Sequence, residues 1–181
     1  MSFLDYHLFV NLLKFCDKSH LFPLLLTSKW IKDLTWRHLI DFLNIDLNEL
    51  YAESCMDGNL EIVKFLLQDS RVEPDYHDNE TVYLASKYGH SEIVKFLLKN
   101  PDIDPSYGNN EPIAYSSYLG HIEVVRVLLE DSRVDPNADE NEAIVSASNR
   151  GHIKIVKLFL KDYRIDEETK EFYRKKHNLF E

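Results

Sequence analysis

The side chains in this 181-residue chain that could carry chemistry are eight histidines, two cysteines and a surplus of carboxylates, with 31 Asp/Glu against 21 Lys/Arg. His90, His121 and His152 each follow a glycine and stand 31 residues apart. Imidazole is a common metal ligand, so a regular series invites a metal reading. A zinc ligand, however, lies about 2 Å from its ion, whereas packed helices are about 8–10 Å apart. Histidines supplied one per stacked unit therefore cannot share an ion, and no metal is expected. Cys16 and Cys55 are too few for a disulfide framework, and free thiols are the expectation. The glycines are isolated from one another, so no phosphate loop is formed. There is no G-x-S-x-G and no Cys/His pair at catalytic spacing. The carboxylates fall in loops and on polar faces, with no apolar pocket implied that would raise a carboxyl pKa. Neither catalysis nor a cofactor is expected.

The elements that position these residues are set by a repeat. Gly58, Gly89, Gly120 and Gly151 open the segments GNLEIVKFLLQD, GHSEIVKFLLKN, GHIEVVRVLLED and GHIKIVKLFLKD. Asn-Glu recurs in the same 31-residue register at 48–49, 79–80, 110–111 and 141–142. So do Val72, Ile103, Val134 and Ile165, with Pro74, Pro105 and Pro136 two residues after the first three. Each unit predicts two short helices and an arm. The second helix, as in Ile93–Leu98, is apolar almost all round, so it must be covered on several sides. Leu66, Leu97, Leu128 and Leu158 are expected inside. The first helix carries small residues, at Cys55, Ala85-Ser86, Ser116-Ser117 and Ala147-Ser148, which let neighbouring helices approach. The glycine between the helices suits a turn with positive φ. Glu61, Glu92 and Glu123 then sit in the first turn of the second helix, where the dipole favours them, while the fourth unit has Lys154. Proline ends the helical run in the first three units. The arm is expected to be extended and to close a tight turn at the tip.

These units resemble the ankyrin repeat, whose motif runs T-P-L-H-x-A followed by G-H. Glu80-Thr-Val-Tyr-Leu-Ala85 stands in the place of the hexapeptide, and Gly-His follows at 89–90, 120–121 and 151–152. The unit has 31 residues rather than 33, and the Asp-Gly of the usual hairpin tip is absent. The variant is similar to ankyrin proteins of large DNA viruses and amoebae. The resemblance implies an all-α solenoid of four repeats over 46–171, at about 48–78, 79–109, 110–140 and 141–171. Residues 172–181 follow as a C-terminal cap or tail, within a helical half unit that begins near Asp166. In ankyrin-like proteins the histidine is structural and bonds across the loop.

Residues 1–45 do not fit the register. Phe15-Cys-Asp-Lys-Ser-His-Leu21 and Leu24-Leu-Leu-Thr-Ser-Lys-Trp30 resemble an F-box, which would imply a substrate adaptor of a ubiquitin ligase, docking on its Skp1 subunit through Leu21, Leu24 and Trp30. The alternative is a helical cap on the open face of the first repeat. Both readings stay open.

The net charge of −10 is uneven, at +1 over residues 1–45 and −11 over the rest. An acidic surface repels phosphate, which argues against nucleic acid and anionic membranes as partners. No apolar run reaches the roughly 20 residues a membrane span needs, and the N-terminus does not read as a secretory signal. An intracellular, monomeric protein is expected, bound to a protein partner. The concave face of an ankyrin-like array is built from tips and the last turn of the first helix. There the units differ most: Tyr76, His77 and Asp78, Tyr107 and Asn109, and Asp139 at the tips, and Lys87, Tyr88, Tyr118, Leu119, Asn149 and Arg150 before the glycines. These twelve are the candidate partner-binding residues.

Overall fold

The computed structural model describes residues 46–179. Cys16, Leu21, Leu24 and Trp30, and with them the F-box and cap readings, lie outside the described residues. Nine helices and no strand occur among the described residues, which is the all-α repeat architecture expected. The chain divides into two compact units, residues 1–73 and 74–181.

In the first, the described part holds α1 (Leu47–Asp57) and α2 (Leu60–Leu66). Asp46 caps α1, its carboxylate accepting the Asn48 and Glu49 N–H groups at 2.9 and 3.2 Å. The cap satisfies donors that a helix start leaves unpaired. Gly58, at φ 81°, ends α1, and the Asn59 N–H returns to the Ser54 carbonyl at 3.0 Å. That is the closing bond of a left-handed helix stop. Cys55, Val63 and Leu66 are buried, and α2 is too short to stand without such packing.

The second unit holds α3 (Tyr76–Lys87), α4 (Ser91–Leu97), α5 (Tyr107–Leu119), α6 (Ile122–Leu129), α7 (Ala138–Asn149), α8 (Ile153–Phe159) and α9 (Glu167–His177). The first helices form one layer, α3 against α5 against α7, and the second helices another, α4 against α6 against α8. Ile93, Val94 and Leu97 are buried, as are Val124, Val125 and Leu128, and Ile155, Val156 and Phe159. The fourth unit departs from expectation here. Leu158 is only half-buried and Phe159 is enclosed, because 31 residues beyond Leu128 is position 159. Ala85, Ser86, Ser116, Ser117, Ala147 and Ser148 are all buried in the first-helix layer, where small side chains were expected.

The tips also differ from expectation. Instead of an extended arm closing a tight turn, each begins its helix with three consecutive residues in the left-handed region. These are His77, Asp78 and Asn79, then Gly108, Asn109 and Asn110, then Asp139, Glu140 and Asn141. Left-handed turns cost about 1–2 kcal/mol per non-glycine residue, and Asn, Asp and Gly bear that cost best. The turn closes one bond, for example from the Asn110 N–H to the Ser106 carbonyl at 2.9 Å. It also aims the asparagine side chain. The oxygens of Asn79 and Asn110 accept the N–H groups of Asp104 and Asp135, both at 2.8 Å. Asn48 does the same for Glu73 at 2.8 Å. This is the physical role of the asparagine in the recurring Asn-Glu pair. At Asn141 the pattern stops, and its buried oxygen has no hydrogen-bond partner among the described residues.

A helix follows in place of a further arm. Asp166 caps α9 by accepting the Thr169 N–H at 2.8 Å, and the helix opens at Glu167, ahead of the 171/172 boundary read from the register. It is held on the fourth unit by the contact of His177 Nε2 with the Ser148 hydroxyl at 2.8 Å. Lys176 also donates to the Asn149 side chain at 3.3 Å. Tyr173 is buried and Phe172 exposed.

Candidate interaction surface

Two histidines of the series prove to be structural. His121 Nε2 donates to the Lys87 carbonyl and His152 Nε2 to the Tyr118 carbonyl, each at 3.0 Å. Each bond reaches the preceding repeat rather than crossing the histidine's own loop, which corrects the expectation. Among the described residues, no three His, Cys, Asp or Glu side chains converge as metal ligands. Cys55 is free and buried, and burial pushes its thiol far up from its ordinary pKa, so it carries little thiolate and is a poor nucleophile.

Two arginines of the linkers are likewise engaged. The Arg133 guanidinium donates to the Leu98 and Ile103 carbonyls at 3.0 and 2.7 Å, and Arg164 to those of Leu129 and Val134, both at 2.8 Å. These carbonyls lie at the end of the preceding second helix and in its arm, where acceptors need partners. Each arginine is itself held by a carboxylate two residues back, Asp131 at 2.7 Å and Asp162 at 2.6 Å. Hydrogen bonds from the guanidinium hold both aspartates below their usual pKa. The sequence reading missed these arginines, although Asp-x-Arg recurs at 69–71, 131–133 and 162–164. The second unit has Asp102 at this position.

Among the described residues, four of the six exposed large apolar side chains, Tyr88, Tyr115, Tyr118 and Leu119, belong to the first helices or the turns that end them, the others being Tyr163 and Phe172. Tyr115 and Tyr118 on α5, and Tyr88 after α3, are exposed. Tyr83 of α3 sits 5.4 Å edge-on from Tyr115 and 5.8 Å from Tyr107. The Lys87 ammonium lies 5.3 Å from the Tyr83 ring and 5.8 Å from that of Tyr115. Arg150 stacks over Tyr118 at 3.9 Å. Such contacts orient rings and cations alike. Between α5 and α7 runs a groove of about 470 Å³ whose lining includes Tyr115, Tyr118, Asn109, Asp139 and Glu142. Burial, then the Glu80 and Glu111 carboxylates, push the Tyr107 phenol above its ordinary pKa.

The structure thus brings together Lys87, Tyr88 and Tyr107 around Tyr83 and Tyr115, and Asn109, Tyr118 and Asp139 in the groove, with Arg150 on Tyr118. Leu119 is exposed but does not line the groove. Asn149 is engaged by Lys176 of α9. Tyr76 stacks on His77 at 4.0 Å, and His77 meets Glu80 at 3.3 Å, so that tip is occupied with itself. Tyr83 and Tyr115 were missed as site residues. They stand mid-helix at positions where the other units have Ala114 and Val145, or Leu84 and Ser146. That variation was the available signal.

A family model described as ankyrin repeats (3 copies) matches residues 31–109. The matched segment holds the first two glycine-marked units, and the same unit recurs at 31-residue spacing through the third and fourth. No curated protein matches the chain. Among the described residues, no helix is long and apolar enough to cross a membrane.

Proposed function

We propose that this chain binds a protein partner through the first-helix face of its repeats. Ankyrin repeats are in general protein–protein interaction modules, and the reading extends that role to a specific surface here. One observation carries it. Residues that differ between units gather into contacting groups on and just after the first helices, Tyr83, Lys87 and Tyr115 in one and Tyr118 with Arg150 in the other, while the core positions of the second helices stay apolar. Exposed tyrosines give large contact area at low entropic cost and are frequent anchors of interfaces. An open groove with no buried nucleophile or perturbed acid–base pair supports binding over catalysis.

The test is affinity capture from the native source with the parent and with Tyr115→Ala/Tyr118→Ala as bait. Loss of two anchors of this type should weaken a specific complex by about 2–4 kcal/mol, roughly 30-fold or more. A partner captured equally by both proteins would place recognition elsewhere.

A further inference from the structure

Charge on this molecule is unevenly compensated. Along the second helices and linkers, some carboxylates pair with cations, Glu61 with Lys64, Glu123 with Arg126, Asp131 with Arg133, and Asp162 with Arg164, while the exposed Glu92, Asp102 and Glu130 make no ion pair among the described residues. The groove between α5 and α7 is lined by Glu111, Asp135, Asp139 and Glu142, and by no Lys, Arg or His. A second groove, of about 420 Å³ between α7 and α9, is lined by Glu140, Asp166 and Glu168, again with no cation. None of these seven carboxylates makes an ion pair among the described residues. On α9, Lys170 sits on Glu167 at 3.0 Å and Lys175 on Glu171, while the Lys176 ammonium lies 6.0 and 5.7 Å from the Phe172 and Tyr173 rings that line the second groove, without pairing with its acids. Between the acids, the same two grooves expose apolar floor, from Tyr115, Tyr118 and Ala114 in the first and Phe172 and Val145 in the second.

Uncompensated charge of one sign in adjoining concave surfaces raises the local potential and attracts the opposite charge. Long basic side chains suit such a surface, because their aliphatic stems cover apolar area while the head group meets a carboxylate. Arg150 on Tyr118 shows that these rings accept a guanidinium. We infer that the face formed by α5, α7 and α9 takes a basic segment of a protein partner, with Arg or Lys side chains set among the seven carboxylates. This rests on the protein-binding reading above and specifies the chemistry of the partner. Phosphate-bearing partners are repelled by the same charges.

The test is selection of a displayed random dodecapeptide library on the whole protein, followed by binding of the enriched peptides to three variants. The groove variant is Glu111→Gln/Asp139→Asn/Glu142→Gln. The control, Glu92→Gln/Asp102→Asn/Glu130→Gln, removes the same charge from exposed positions outside the grooves. The third variant is Tyr115→Ala/Tyr118→Ala. Enriched peptides should carry at least two Arg or Lys, should bind the groove variant tenfold or more weakly, and should bind the control within about twofold. Binding should also weaken as salt rises. Enrichment of uncharged or acidic peptides that still lose affinity for Tyr115→Ala/Tyr118→Ala would overturn the basic segment and leave the protein-binding face standing. Peptides indifferent to all three variants would overturn both. Basic peptides weakened equally by groove variant and control would reduce the effect to net charge and overturn the inference, as would a library with nothing enriched.

Discussion

The imidazole of His121 lies against Gly89 of the preceding repeat, so closely that a Cβ on that glycine would sit 2.9 Å from Nδ1. Gly89 therefore serves two ends. Its φ of 82° ends α3 and its bare Cα makes room for the ring that bonds the Lys87 carbonyl.

Gly151 separates these two roles. Its φ is 74°, but a Cβ there would meet nothing within 4 Å. Gly151→Ala should cost only the left-handed strain, about 1–2 kcal/mol. Gly89→Ala should cost that and about 1 kcal/mol more, because the displaced His121 forfeits its hydrogen bond. Urea denaturation of the two variants reads the difference. Equal losses would mean that the ring moves aside freely.

Arg133 ties one repeat to the next through carbonyls that have few other donors. Arg133→Ala should destabilise by about 2 kcal/mol, since charge-assisted bonds contribute about 1.5–3 kcal/mol and the pair is partly exposed. Arg133→Lys should not restore it, because an ammonium cannot span two carbonyls and a carboxylate in one plane. The effect carries a pH signature. Asp131 is lowered by its bond to Arg133. Its contribution is therefore fully present above the unfolded value, about 3.9, and is lost as pH falls through the folded value. The stability gap between parent and Arg133→Ala should shrink between pH 7 and pH 3. A gap that holds constant would remove the carboxylate from the account.

The packing of the array was legible because burial follows a fixed period, and four copies make chance agreement small. Gly58, Gly89, Gly120 and Gly151 announced their positive φ by position alone. The tips were not legible. Asn-Asn or Asp-Glu-Asn reads as turn chemistry in any of several conformations, and only the aligned N–H of Asp104 or Asp135 selects the left-handed one. Arg133 and Arg164 went unread for a related reason. Their acceptors are backbone carbonyls some 30 residues away, which leave no trace in side-chain pattern. Tyr83 and Tyr115 were hidden by the helix itself, since a mid-helix tyrosine reads as packing until its face is known.

Asn110 offers a way to divide the energy of a tip. It is buried, left-handed at φ 68°, and accepts the Asp135 N–H. Asn110→Gly keeps the backbone conformation without strain but leaves that N–H unpaired, at a cost of about 1–3 kcal/mol. Asn110→Ala adds left-handed strain of about 1–2 kcal/mol. The order of stability should be Asn, then Gly, then Ala, by chemical denaturation. If Gly equals Asn, the side-chain bond contributes nothing and the asparagine is present for its backbone alone.

The fourth repeat tests whether register or residue type decides burial. Leu158 and Phe159 adjoin in α8, and a preference for leucine at the core position would choose Leu158. The fold encloses Phe159 instead. Phe159→Ala should cost about 3–5 kcal/mol through the cavity it leaves. Leu158→Ala, from a half-buried site, should cost no more than about half as much. Because repeats couple only to their neighbours, the loss at Phe159 should first release the end of the array. Hydrogen exchange of α8 and α9 should accelerate before that of α4. Comparable destabilisation by the two alanines, or uniform acceleration across α4 to α9, would show that burial in this array is not set by the 31-residue period.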